Sequence, residues 1–328
     1  MKLTIITEGG LIGGLGHIQR CLAMSQAFEE AGIRSEFIVH GDNSIKEVLK
    51  ERKYRIVNWL KERDKVLASI SKSQIVIVDS YLGDIGFYEK LSLRAGVPVY
   101  IDDNKRLDYP QGIVVNSGIH ARSLKYPSRD HVTYLLGRRY ALLRKPFWET
   151  GTKKIGDEVK SIMVTTGGCD PANVIPKIMG CLRDKYPLIK KNIIIGNSFG
   201  NIDAIKRQAD KVTKLIYFPD AAGMKKQMTR SDIAISAGGQ TLYEFARMGV
   251  PTIAFCQSEN QRLGLEAWRN EGFIEYAGGI NNLEGRILRV FDRFRSQKER
   301  YRRSRKGMEL VDGQGARRTR EVLLAYEN

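Results

Sequence analysis

A histidine follows directly on a run of glycines near the N-terminus. Residues 9–20 read GGLIGGLGHIQR, with His17 immediately after Gly14-x-Gly16. Glycines permit a tight turn and close backbone approach, and a helix beginning there presents unpaired amides to an anion. The loop is not a dinucleotide fingerprint, because Gln19 stands where a third glycine belongs, although Asp42 sits where a ribose-binding acid would. No Gly-Lys-Ser/Thr follows, so it is not a P-loop either. An imidazole at the first position of the helix would face the crevice beyond the strand ends, where open α/β sheets bind ligands. The positive end of the helix dipole disfavours the protonated ring, which predicts a neutral base near pH 7. Position alone leaves a second reading open: a surface or capping histidine without chemistry.

Two further glycine loops lie in the second half. TTGGCDPANV (165–174) carries Gly167 and Gly168, and Asp170 with Pro171 makes a helix entry. SAGGQTLYEFARMGVP (236–251) presents Ala237, Gly238, Gly239, Gln240 and Thr241 before a helix. Its N-terminus is predicted to accept a diphosphate through backbone amides, with no lysine required. Glu244, one turn further on, fits a carboxylate bridging two ribose hydroxyls, and equally a solvated first-turn glutamate favoured by the dipole. Two such loops, each between strand and helix, point to a nucleotide diphosphate.

The elements that must position these residues alternate as βαβ units around parallel sheets. Strands are predicted at 2–7, 34–39, 55–59, 74–79, 97–101 and 113–116, then at 159–165, 192–195, 214–217, 233–236 and 251–255. The first helix, 17–31, places Ile18, Cys21, Leu22 and Phe28 on one face and stops at Gly32. Later helices are predicted near 172–185, 220–230, 239–248, 260–271 and 281–305. The stretch 138–158 has no clear periodicity and reads as linker. The division is an N-terminal domain 1–145, a linker 146–158 and a C-terminal domain 159–328. A short amphipathic helix at 314–326 packs on its own domain or returns to the first; the pattern leaves both open. The predicted architecture is α/β, two Rossmann-like domains facing each other across a cleft.

At 328 residues, 42% of them apolar, the chain is long enough for about two domains with sizeable cores. No run approaches a membrane-spanning helix, and the N-terminus lacks a secretory pattern, so a cytoplasmic protein is expected. The four cysteines and four histidines lack metal-ligand spacing, so neither a metal nor a disulfide framework is expected. With 54 basic against 37 acidic residues the net charge is +17. Residues 286–306 concentrate it, with ten basic side chains against Asp292 and Glu299. A nucleic acid, an anionic membrane or a phosphorylated substrate would each suit that sign. The segment lacks an interleaved aromatic stacking motif, which argues against nucleic acid.

With these residues in view, nearly the whole chain resembles the nucleotide-sugar hydrolases of pseudaminic acid biosynthesis, relatives of the MurG-type glycosyltransferases with the GT-B fold. The carriers are IGGLGHIQRC (12–21), which includes Gly14, Gly16, His17 and Arg20, VDSY (78–81), IDD (101–103), TGGCD (166–170), SAGGQTLYE (236–244) and SENQ (258–261). The resemblance implies hydrolysis of UDP-2,4-diacetamido-2,4,6-trideoxy-β-L-altropyranose by inverting C–O cleavage. It also implies that His17 handles the water and that Asp79, Tyr81 and Asn260 line the sugar pocket. One departure stands out. Many members end the first strand with an arginine and an acid, whereas here it ends Ile6-Thr7-Glu8-Gly9. That stretch borders the sugar site, so the reaction is more firmly implied than the sugar.

The chemistry is coherent. A diphosphate leaves readily as an anion, so the acid that glycoside hydrolysis ordinarily requires becomes dispensable. A base and a donor-rich cradle remain necessary. Asp79 suits either orienting His17 or binding sugar hydroxyls; Asn260 and Gln261 suit a sugar-amide or phosphate contact, or a helix cap. No cofactor is required, and a monomer is expected. The rival is a glycosyltransferase of the same fold, with 286–306 holding it at a membrane; the plainer reading of that segment is a solvated helix face, and membrane contact is not expected.

Overall fold

Every residue of the run QIVIVD (74–79) is buried, as a strand covered on both faces requires. It is the fourth of seven parallel strands in the computed structural model, which describes residues 2–11, 14–71 and 74–327. Ile12 and Gly13 of the glycine loop therefore lie outside the described residues. The strands are β1 (Lys2–Gly9), β2 (Ser35–Gly41), β3 (Lys53–Ile56), β4 (Gln74–Asp79), β5 (Val97–Ile101), β6 (Gly112–Asn116) and β7 (Val132–Leu136). Helices α1 (Gly16–Glu30), α2 (Lys46–Leu49), α3 (Arg63–Ala68) and α4 (Ile85–Arg94) connect them. Their spatial order, β3-β2-β1-β4-β5-β6-β7, reverses direction between β1 and β4. Ligands of open α/β sheets bind at that reversal, beyond the carboxyl ends of the strands. Here those ends are Gly9 and Asp79.

The second unit repeats the plan. It comprises β8 (Ser161–Thr165), α5 (Val174–Lys185), β9 (Lys190–Ile195), α6 (Ile202–Gln208), β10 (Thr213–Tyr217), α7 (Ala221–Arg230), β11 (Ile233–Ala237), α8 (Thr241–Arg247), β12 (Thr252–Cys256), α9 (Arg262–Asn270), β13 (Ile274–Gly279), α10 (Leu283–Phe294) and α11 (Gln297–Leu310). The parallel sheet runs β10-β9-β8-β11-β12-β13, so its reversal falls between β8 and β11. The two glycine loops of this half are the segments leaving those two strands. Each unit has its own core: Val76, Val78, Tyr88, Leu91 and Tyr100 belong to the first, and Ile162, Ile193, Ile233, Phe255 and Phe291 to the second.

The chain divides into Met1–Lys145 with Gly313–Asn328, and Pro146–Asp312. The last helix, α12 (Gly315–Glu327), thus belongs with the first unit. Arg317 pairs with Glu30 at 2.7 Å, and Arg320 donates to the Ala27 carbonyl at 2.9 Å, both at the far end of α1. The stretch read as linker is not loose. Lys225 Nζ donates to the Pro146 and Glu149 carbonyls at 2.7 Å, and Arg247 to those of Phe147 and Trp148. Phe147 and Trp148 are buried. Basic side chains from the second unit hold this segment, which is why it shows no periodicity of its own.

The single helix expected over 281–305 is two. Ser296 breaks it, its hydroxyl accepting the Glu299 amide at the head of α11. The fully buried Arg300 then donates to the carbonyls of Phe294 and Arg295, and to those of Gly156 and Asp157. It satisfies acceptors that the end of α10 would leave orphaned.

Candidate active site

His17 is the second residue of α1 and lies against the end of β4. Its Nδ1 is 2.9 Å from Asp79 Oδ1 and 3.3 Å from the Asp79 carbonyl. Asp79 is fully buried. Arg20, one turn along α1, grips the same carboxylate from the other side, with Nε to Oδ2 at 2.5 Å and Nη2 to Oδ1 at 2.7 Å. The third guanidinium nitrogen, Nη1, donates to Asp103 Oδ1 at 2.6 Å. Tyr81 donates its hydroxyl to Asp103 Oδ2 at 2.5 Å and stands edge-on to the His17 ring, centroids 4.7 Å apart.

The arrangement reverses the direction in which the helix dipole alone would move the His17 pKa. Burial pushes the imidazole pKa down, but the Asp79 carboxylate outweighs it and raises the pKa above 6.5. A full negative charge at contact distance exceeds the partial charge of a helix terminus. Burial likewise drives the Asp79 carboxyl up, and Arg20 and then His17 overcome this and hold it well below the usual carboxylate range. With Nδ1 turned to Asp79, the nitrogen left to meet a water or substrate is Nε2.

Asp79 is buried against His17 and Arg20, so its carboxylate is taken up by protein groups. Arg20, also buried, spans two carboxylates. Tyr81 is 41% exposed.

The surrounding loops are fixed by acids that spacing alone could not assign. Glu8, at the end of β1, accepts the Ser80 hydroxyl and the Tyr81 amide, which sets the turn that carries Tyr81. Asp102 accepts the Tyr126 hydroxyl at 2.5 Å and the amide of Asp103 at 2.9 Å. Asp42 accepts the amides of Leu11 and Ser44. Within the glycine loop Gly10 donates to the Gly14 carbonyl at 3.0 Å, and a Cβ at Gly10 would collide with the Asp42 carboxylate. Gly14 adopts φ +70°, and Gly16 opens α1.

In the second unit the segments leaving β8 and β11 hold the other expected residues. Gly167 has φ +89°, and the Gly168 carbonyl accepts the Ser198 amide. Asp170 accepts the amides of Val174 and Ile175, so a carboxylate already fills the head of α5. After β11, the Gly238 amide donates to the Phe255 carbonyl and the Gly239 amide to that of Ala237. Those two amides are hydrogen-bonded within the protein. Gly239 is exposed, with open space where a Cβ would stand; Gln240 and Thr241 follow it into α8. Glu244 lies in α8, 5% exposed. Asn260 is exposed and accepts the Ser258 hydroxyl, and Gln261 accepts the Gln257 amide at 3.0 Å, so both shape their own turn and neither side chain caps α9.

Sequence reasoning passed over Phe218. It follows β10, is 54% exposed, and holds φ +48°, a left-handed backbone strained for a bulky residue. No composition signal marks it, although Tyr217-Phe218-Pro219 is an aromatic pair before proline at a strand end. Among the described residues, no cluster of His, Cys, Asp and Glu could hold a metal ion, and no helix is long and apolar enough to cross a membrane.

No family model matches the chain. Its relatives are distant. It is 25% identical over 276 residues to an uncharacterized protein of Methanocaldococcus jannaschii, covering 80% of this chain and 57% of that protein. It is 24% identical to the spore coat polysaccharide biosynthesis protein SpsG of Bacillus subtilis, covering 98% of each. It is 22% identical to the Helicobacter pylori pseudaminic acid cytidylyltransferase and UDP-2,4-diacetamido-2,4,6-trideoxy-β-L-altropyranose hydrolase, covering 84% of this chain and 48% of that one. The chain thus spans about half the length of two of these relatives. Among solved structures, Acinetobacter baumannii MurG superposes with a TM-score of 0.62 at 12% identity, over 99% of this chain and 100% of that one. S. aureus MnaA, solved with UDP, superposes with a TM-score of 0.68 at 13% identity, over 99% and 97%. Two Rossmann-like units with these neighbours define the GT-B fold.

Proposed function

We propose that the protein hydrolyses a UDP-activated diacetamido-trideoxy sugar, releasing UDP and the free sugar by inverting C–O cleavage with His17 as general base. One observation carries this reading: His17 Nδ1 is held by the buried Asp79 carboxylate, which leaves Nε2 as the basic nitrogen. As Nε2 takes a proton from water, positive charge develops on the ring, and Asp79 stabilises it without taking the proton. Such general-base help is worth typically about 10²–10⁴-fold. No acid partner is needed for a diphosphate leaving group. Water attacking opposite the departing UDP inverts the anomeric carbon in one displacement.

The nucleotide falls to the second unit. The exposed Phe218 ring offers the base a stacking face. The open Gly239, with the Thr241 amide and hydroxyl, receives the diphosphate, and Glu244 the ribose. The sugar assignment draws support from the hydrolase named in the H. pylori relative. The GT-B neighbours include a MurG, and the same base would then deprotonate an acceptor hydroxyl in a glycosyltransferase. Turnover in ¹⁸O-labelled water tests both readings. Label in the free sugar supports hydrolysis by C–O cleavage, label in UDP means P–O cleavage, and no reaction until an acceptor is added means transfer.

A further inference from the structure

Asp103 closes a ring of contacts around His17. The path runs from His17 Nδ1 to Asp79, through Arg20 to Asp103, through the Tyr81 hydroxyl to the Tyr81 ring, and back to the imidazole. Both Asp103 oxygens are engaged, one by Arg20 and one by Tyr81. Its backbone is pinned as well. Asn116 Nδ2 donates to the Asp103 carbonyl at 2.9 Å, and the Asp103 amide donates to Asp102 Oδ1 at 2.9 Å. Asn116 at the end of β6 and Asp102 just after β5 thereby fix where this carboxylate stands.

Two consequences follow. The first is geometric: Tyr81, 41% exposed, keeps its edge on the imidazole because Asp103 anchors its hydroxyl. The second is electrostatic: Asp79 and Asp103 share one guanidinium, which leaves an excess negative charge facing His17. The charged and titratable groups around the ring are Asp79 from β4, Arg20 and Cys21 from α1, Tyr81 from the turn after β4, and Asp103 from the loop after β5. Glu8, at the end of β1, lies one step out, on Ser80 and Tyr81. With Asp103 neutral, Arg20 would serve Asp79 alone and its charge would offset the attraction that Asp79 exerts on a proton at His17.

We propose that Asp103 is a positioning residue for the reaction: acting through Arg20 and Tyr81, it holds the His17 imidazole in the orientation and charge environment that water activation needs. This rests on His17 being the base. The test is NMR titration of the His17 ring in the full chain without substrate, paired with kcat and KM on the UDP-sugar. In Asp103→Asn the His17 midpoint is expected to move to lower pH. Its kcat is expected to fall roughly tenfold or more with KM little changed, and Asp103→Glu to recover part of both. Tyr81→Phe, which removes only the hydroxyl, is expected to lower kcat with a smaller movement of the midpoint, and serves if Asp103→Asn does not fold. A His17 midpoint and kcat unchanged in the folded variants overturn the proposal. Turnover retained by His17→Leu removes the base reading itself. The substrate-free titration separates that failure from a failure of Asp103.

Discussion

A base works only when unprotonated, so the raised pKa of His17 fixes the sign of its pH dependence. Activity is expected to fall as pH drops through a value above 6.5, because Asp79 outweighs the opposing pull of burial. Asp79→Asn removes that attraction while burial remains, so the acid limb of kcat/KM is expected below that of the wild type, with a reduced plateau. A pH–rate profile of the two proteins checks both. Glu244→Ala is expected to weaken UDP binding, and calorimetric titration with UDP reads this; an unchanged dissociation constant would remove Glu244 from the ribose. The candidate base was legible in the sequence because glycines, a histidine and a helix start fall together. Its partners were legible only as motif letters. Arg20 and Asp79 are 59 residues apart and Arg20 and Asp103 83, so only the strand order brings them together. The same distance in sequence hid the direction in which the His17 pKa moves, since the dipole is local and the carboxylate that overrides it is not.

At the scale of elements, apolar runs located the central strands to within a residue or two, because strands buried on both faces leave little else to read. The strands missed were β7 and β13, at sheet edges, where VTYLL and IEYAGG are only partly buried and carry a weak pattern. The break between α10 and α11 was hidden for a different reason: helical periodicity continues across it, and a capping serine with one buried arginine makes the turn. Arg300→Ala leaves several carbonyls without their donor, and is expected to destabilise the second unit by on the order of 3 kcal/mol in denaturant unfolding. At Gly196 a Cβ would meet the backbone carbonyls of Gly167 and Gly168. Gly196→Ala is therefore expected to displace the loop after β8 and to weaken UDP binding more than it slows turnover of bound substrate, which a comparison of KM with kcat would show.

Over the whole molecule, the basic excess divides into internal ties and surface charge. Of the ten cations in 286–306, Arg286, Arg300 and Arg303 donate to backbone carbonyls, and Arg293, Arg302 and Lys306 pair with glutamates. Net charge alone therefore overstates what this segment offers an anionic partner, which composition could not reveal. The chain's return to its first unit was also beyond the pattern: α12 buries Ala316, Thr319 and Leu323 and ties Arg317 and Arg320 to α1, and a short stripe of that kind does not say which unit it covers. Ending the chain at Asp312 would strip that cover from the helix that carries His17, and is expected to lower both melting temperature and turnover. The central claim, that one imidazole activates water against a UDP-sugar, is tested most directly by acceptor-free UDP release from the diacetamido-trideoxy sugar nucleotide, measured for the wild type and His17→Leu at equal UDP occupancy. Prompt release by the wild type and none by the variant is the expected result; equal release by both, or none from the wild type until an acceptor is supplied, would contradict it.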